Sequence, residues 1–143
     1  MEKERKDLAR YTLERITSED AFAKLIGMEL IELRPGFART TLKVTEHTIN
    51  VHQMAHEGAL FALVDLACEA ASNSFGEPAV AIETNIHFLA AGKCGDLLTA
   101  TAKLASRVES FGVIEFDVRS HEGRLLSTGQ QTVIVKKGKK NLV

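Results

Sequence analysis

The chain has 143 residues, 45% of them hydrophobic, which suits one domain with a proper core. Its 18 basic and 19 acidic residues leave a formal net charge of -1, which argues against nucleic acid or a membrane surface as a partner. Two cysteines cannot build a disulfide framework, so Cys68 and Cys94 are expected to be free thiols in a reducing compartment.

The opening MEKERKDLAR is highly charged and lacks the apolar stretch of a secretory leader, which points to the cytoplasm. Residues 3–16 read as an exposed amphipathic helix with Leu8, Tyr11, Arg15 and Ile16 at helical spacing. Ser18 is the expected N-cap of a second helix, with Glu19 and Asp20 in its first turn and Gly27 as its stop. The period then changes from helical to alternating. Segments 28–34 and 37–45 flank Pro35–Gly36 and predict a hairpin.

A loop over 46–57 carries Asn50, His52 and His56 and leads into a helix expected over 58–75, closed by Gly76 and Pro78. Between Ala59 and Ala71 only Asp65 and Glu69 are charged. A helix without a polar stripe belongs in an interior, where an unpaired carboxylate costs several kcal/mol. Asp65 therefore stands where an acid is expensive, close in sequence to a His- and Asn-rich loop, and that marks a candidate site. Glu69, one turn on, fits a supporting or subunit-contact role better than a catalytic one. His52 and His56 have i, i+4 spacing but lie in a loop and lack the order of a zinc motif, so no metal is expected. His47, His87 and His121 have no motif around them.

The remainder reads as strand: 79–89, 96–108, 113–121 and 125–135, with short hairpin connections. Val113, Glu115, Asp117 and Arg119 alternate with Ile114, Phe116 and Val118, giving one wet and one dry sheet face. The basic tail Lys136–Lys137–Gly138–Lys139–Lys140 reads as a solvated end. One long apolar helix cannot hide both its sides against an ordinary sheet, whereas a curved antiparallel sheet can wrap it with help from a second subunit. The expected class is α+β, with the curved sheet around the helix and an N-terminal helical extension over 1–26.

From about Gly36 to Val135 the sequence resembles the acyl-CoA thioesterases of the hot-dog superfamily, most closely the phenylacetate-degradation (PaaI) type. The family pattern of an Asn, a short gap, His-Gly-Gly and a helical Leu-Ala/Val-Asp stands here as Asn50, His56–Glu57–Gly58 and Leu63–Val64–Asp65. The strand over 79–89 and the segment Gly95–Asp96–Leu97–Leu98–Thr99–Ala100 match later blocks. The resemblance implies that Asp65 is the catalytic carboxylate, as general base or nucleophile. It further implies that the backbone N–H at Glu57 polarises the thioester carbonyl, with Asn50 and His56 supporting the loop, the substrate or the water. It also implies a site whose two halves come from different subunits.

Glu57 replaces the first Gly of the pattern, which puts a second carboxylate near the site. Some relatives hold the water with a Ser or Thr on the strand after the helix; the aligned position here is Ala81, with Thr84 as a substitute and Asn85 beside it. Phe61 and Phe88, with Leu60 and Val64, are candidates for an acyl tunnel, although a core role fits them equally well. Lys93 and Arg107 are candidates for the CoA phosphates. Thioester hydrolysis needs only a base and an oxyanion donor, and no nucleotide loop or metal cluster is present, so no cofactor is expected. The sequence thus reads as a cytoplasmic acyl-CoA thioesterase, a homodimer and further a homotetramer, acting on an aryl-acetyl, aromatic or medium-chain acyl group. A non-catalytic acyl-CoA sensor and an enoyl-CoA hydratase remain as alternatives, though the latter lacks a His shortly after Asp65.

Overall fold

Ala and Leu dominate the central helix, and both are strong helix formers; the rest of the chain is arranged around it. The structure, a computed structural model, describes residues 2–137, the side chain of Arg5 excepted. The elements are α1 (Glu2–Glu19), α2 (Ala21–Ile26), β1 (Met28–Arg34), β2 (Phe37–Lys43), α3 (Glu57–Asn73), β3 (Ala79–Phe88), β4 (Leu97–Val108), β5 (Phe111–Ser120) and β6 (Leu125–Val135). Lys136 and Lys137 are exposed, while the rest of the basic tail lies outside the described residues. No helix among the described residues is long and apolar enough to cross a membrane.

The expected cap at Ser18 is a correction. Helix α1 continues through Ser18, whose hydroxyl donates back to the Glu14 carbonyl (2.6 Å), the alternative open to a helical serine. Asp20 caps α2 instead: its backbone is extended and its carboxylate accepts the Ala23 N–H at 2.8 Å. Gly27 ends α2 in the left-handed conformation (φ 81), as expected.

All six strands join one antiparallel sheet in the order β1-β2-β4-β5-β6-β3. The hairpin before α3 meets the strands after it through β2 and β4, which pair from Phe37↔Lys103 to Lys43↔Leu97. Extra, unmatched residues bulge β1, β3, β4 and β6, and such bulges bend a sheet and strengthen its twist. The curved sheet packs on α3 mainly through β2, β4 and β5. Buried Ala38, Ala100 and Ala102 keep the concave face low, and Leu42, Leu98, Ile114, Val118 and Leu126 fill the core with Leu63, Val64, Ala67 and Cys68 of the helix. Midway along α3 the buried Thr40 hydroxyl donates to the Leu63 carbonyl at 2.9 Å, tying helix to sheet. At its end, Ser74 Oγ accepts the Gly36 N–H (2.7 Å) and donates to the Ala71 carbonyl (2.7 Å), locking the hairpin turn to the helix terminus.

One expectation about burial changes. Within this chain α3 is covered on its Leu60, Leu63, Val64, Ala67 and Ala71 side, but Phe61, Ala62, Asp65 and Glu69 form a stripe that the sheet leaves partly open, with Asp65 at its border. Asp65 is therefore half-buried rather than enclosed, because a single sheet covers only one side of a helix.

Candidate active site

Asn50 builds the loop that precedes α3. Its Oδ1 accepts the N–H groups of His52 (2.9 Å) and Met54 (3.2 Å), and its own N–H donates to the Met54 carbonyl (2.8 Å). This tight turn sets Gln53 in the left-handed region (φ 62). Bridges of Ile49 to Ala55 and of Met54 to Lys93, with the His56 N–H donating to the Thr48 carbonyl (2.8 Å), pin the loop at both ends.

His56 is the N-cap of α3. Its backbone is extended (φ -63, ψ 133) and its Nδ1 accepts the Gly58 N–H at 2.8 Å, so the neutral ring carries its proton on Nε2. The His56 carbonyl takes the N–H groups of Ala59 (2.9 Å) and Leu60 (3.2 Å). The Glu57 N–H meets no acceptor among the described residues and stands at the positive end of the helix dipole. This geometry explains the departure at Glu57. A Cβ on Gly58 would lie 3.0 Å from His56 Nδ1 and 3.2 Å from its Cε1, so a side chain there would crowd the capping imidazole. Glu57 has no positive φ, and an L-residue fits.

Asp65 follows Gly58 by seven residues, roughly 10 Å along the axis. It opens into a cleft of about 260 Å³ lined also by Gly58, Phe61, Glu69, Asp20 and Phe22. The Glu57 side chain is not part of that lining. On the sheet side, Asp65 Oδ1 accepts from Gln131 Nε2 at 2.9 Å, and the same nitrogen donates to Thr84 Oγ1, also at 2.9 Å. Gln131 is absent from the sequence reading. Its signal was there: the alternation of β6 sets Gln131 inward with Val133 and Val135, and a buried amide is costly unless its hydrogen bonds are made.

Thr84 reaches this network because β3 bulges. Ala81 pairs with Val133 and Glu83 with Thr132, so Ile82 has no opposite residue, and Thr84 falls opposite Gln131. Within this chain neither Ala81 nor Asn85 is brought to Asp65: both are exposed, and Asn85 lies with His87 and Lys103 in a shallow depression on the far face of the sheet. Phe61 lines the cleft, and Phe88 is exposed near the end of β3, whereas Leu60 and Val64 are core residues. Lys93 lies exposed beside the Asn50 loop. Arg107 pairs instead with Glu77 (3.2 Å), a few residues beyond the C-terminus of α3.

Burial, then the nearby Asp65 and Asp20, push the Glu69 carboxyl above the ordinary glutamate range, with Arg15 opposing. Burial, with Asp65 adding, pushes the Cys68 thiol far up, so it stays protonated and is no nucleophile. Among the described residues no three His, Cys, Asp or Glu side chains are grouped to hold a metal ion.

Residues 52–127 match the thioesterase superfamily. The acyl-coenzyme A thioesterase PaaI of Escherichia coli K12 is 38% identical over 124 residues, covering 87% of this chain and 84% of the relative. The solved structure of the E. coli PaaI protein from the phenylacetic acid degradation operon superimposes with a TM-score of 0.88, at 33% identity and covering 93% of this chain and 96% of that one. A hypothetical thioesterase of Streptococcus pneumoniae TIGR4, solved with coenzyme A, has a TM-score of 0.73 at 29% identity, covering 76% and 85%. With the curved sheet and central helix already in place, these likenesses leave one assignment: the chain belongs to the thioesterase superfamily and is a PaaI-type hot-dog thioester hydrolase.

Proposed function

We propose that this hydrolase cleaves an acyl-CoA, with an aryl-acetyl, aromatic or medium-chain acyl group, to free acid and CoA. One observation carries this reading: α3 presents a carboxylate, Asp65, on its open face and an unoccupied backbone N–H, Glu57, at its positive end. The relatives named above support CoA as the thiol. Water attacks the thioester carbon while Asp65 takes its proton; the Glu57 N–H holds the oxyanion; collapse breaks the C–S bond and releases the CoA thiolate. Direct attack by Asp65 followed by hydrolysis of the anhydride uses the same groups.

The site is completed by a second copy of the chain. The part-open stripe of Phe61, Ala62, Asp65 and Glu69 and the unpaired outer edge of β3, with Ile82 exposed on it, are surfaces that such a copy would cover. Phe61 and Phe88 would line the acyl channel, and Lys93 would meet the CoA phosphates beside the loop. The two free thiols agree with a reducing, cytoplasmic setting.

The test is a panel of short, medium, long and aryl acyl-CoAs with free thiol as the readout, without added metal or nucleotide. Turnover of at least one class is expected. Binding without turnover across the panel would favour a sensor, and loss of activity with a chelator would return His52 and His56 to consideration as ligands.

Glu57→Gly gives a second expected result. If position 57 contributes only its N–H, the reaction survives and at most its substrate range changes. A collapse of kcat as deep as that of an Asp65 variant would place the Glu57 carboxylate in the chemistry.

A further inference from the structure

Gln131 is 1% exposed, belongs to no motif, and touches the residue on which the proposed chemistry turns. The nitrogen of its amide, not the oxygen, must face Asp65, because an ionised carboxylate only accepts. Both hydrogens of that nitrogen are then spent, one on Asp65 Oδ1 and one on Thr84 Oγ1.

Two consequences follow. Asp65 is held by one oxygen from the sheet, which leaves Oδ2 without a partner among the described residues, on a residue that lines the cleft. Thr84, already accepting from Gln131, has its own hydroxyl hydrogen to give, and no acceptor for it exists among the described residues. Two oxygens held by the two hydrogens of one amide nitrogen lie roughly 5 Å apart, a span that one water bridges with two ordinary hydrogen bonds.

We propose that Gln131 is the positioning residue of this site: it fixes the Asp65 carboxylate and sets the Thr84 hydroxyl to hold the water that Asp65 deprotonates. Thr84 donates only a hydrogen bond and keeps its proton; the water proton goes to Asp65 and its oxygen to the acyl carbon. The bulge at Ile82 is what makes this possible, since it turns Thr84 rather than its neighbours toward Gln131. The inference rests on the reading of Asp65 as general base.

The experiment uses the full chain and the acyl-CoA it turns over best. Gln131→Leu removes both donors and is expected to lower kcat about 10- to 100-fold, the worth of a hydrogen bond to a charged group, with KM little changed. Thr84→Val loses about tenfold in kcat, and Thr84→Ser, which restores the hydroxyl, recovers most of that loss. A wild-type kcat in Gln131→Leu, or a loss confined to KM, would overturn the proposal. Should Gln131→Leu not fold, equal rates for Thr84→Ser and Thr84→Val overturn it alone. A wild-type chain that hydrolyses no thioester on the panel sinks the proposed substrate and this inference with it, a result distinct from an active enzyme indifferent to Gln131.

Discussion

Asp65→Asn is expected to lower kcat by roughly 10²- to 10⁴-fold, the usual worth of a positioned general base, while folding and substrate binding persist. Asparagine keeps the shape, and its amide oxygen can still accept from Gln131 Nε2, so the network to Thr84 stays closed. What goes is a half-buried negative charge that works against ionisation of Glu69 and Cys68. Stability should therefore be equal or higher. The raised Glu69 carboxyl favours the native state most in acid, and that contribution is lost as pH rises through its native value. Removing the Asp65 charge shrinks this loss, so any gain in Tm should be larger at neutral pH than in mild acid. Steady-state kinetics and thermal melts at two pH values check both halves. Turnover near wild type would make Asp65 a structural acid and move the site elsewhere.

Mixing two inactive variants should restore activity. One is Asp65→Asn and the other carries Asn50→Ala with His56→Ala, which removes the acceptor that shapes the loop and the side chain that caps α3. Oxyanion donor and base must each come within about 3 Å of the reacting atoms. Along one helix Glu57 and Asp65 are separated by roughly 12 Å at 1.5 Å rise per residue, so one chain cannot bring both to the same carbonyl. A two-fold axis that laid two α3 stripes antiparallel would set the Glu57 N–H of one chain opposite Asp65 of the other, twice per dimer. A hybrid dimer then holds one intact site and one doubly damaged site. Recovered turnover after subunit exchange is the expected result. Verified hybrids without recovery would return both halves of the site to one chain.

Much of this molecule is legible in its sequence because the signals are local. The period change after Gly27, the Pro35–Gly36 turn and the alternation of β5 predict elements that form within a few residues of the expected bounds. The pattern Asn50, His56–Glu57–Gly58 and Asp65 identifies the loop and helix that hold the candidate site, since a helix N-terminus and its capping residue are neighbours in sequence. Other decisions needed the whole chain. Ser18 and Asp20 are both good caps by residue type, and the choice fell to whether each could satisfy itself inside a helix. Which residue of β3 meets Gln131 depended on a single unmatched residue at Ile82, because slipping a strand by one exchanges its two faces. Gln131 lies 66 residues from Asp65, and only the closing of β6 beside β3 brought the amide to the acid. The open stripe on α3 was likewise hidden in the composition: an apolar helix looks equally buried on every side until the sheet has chosen which side to cover.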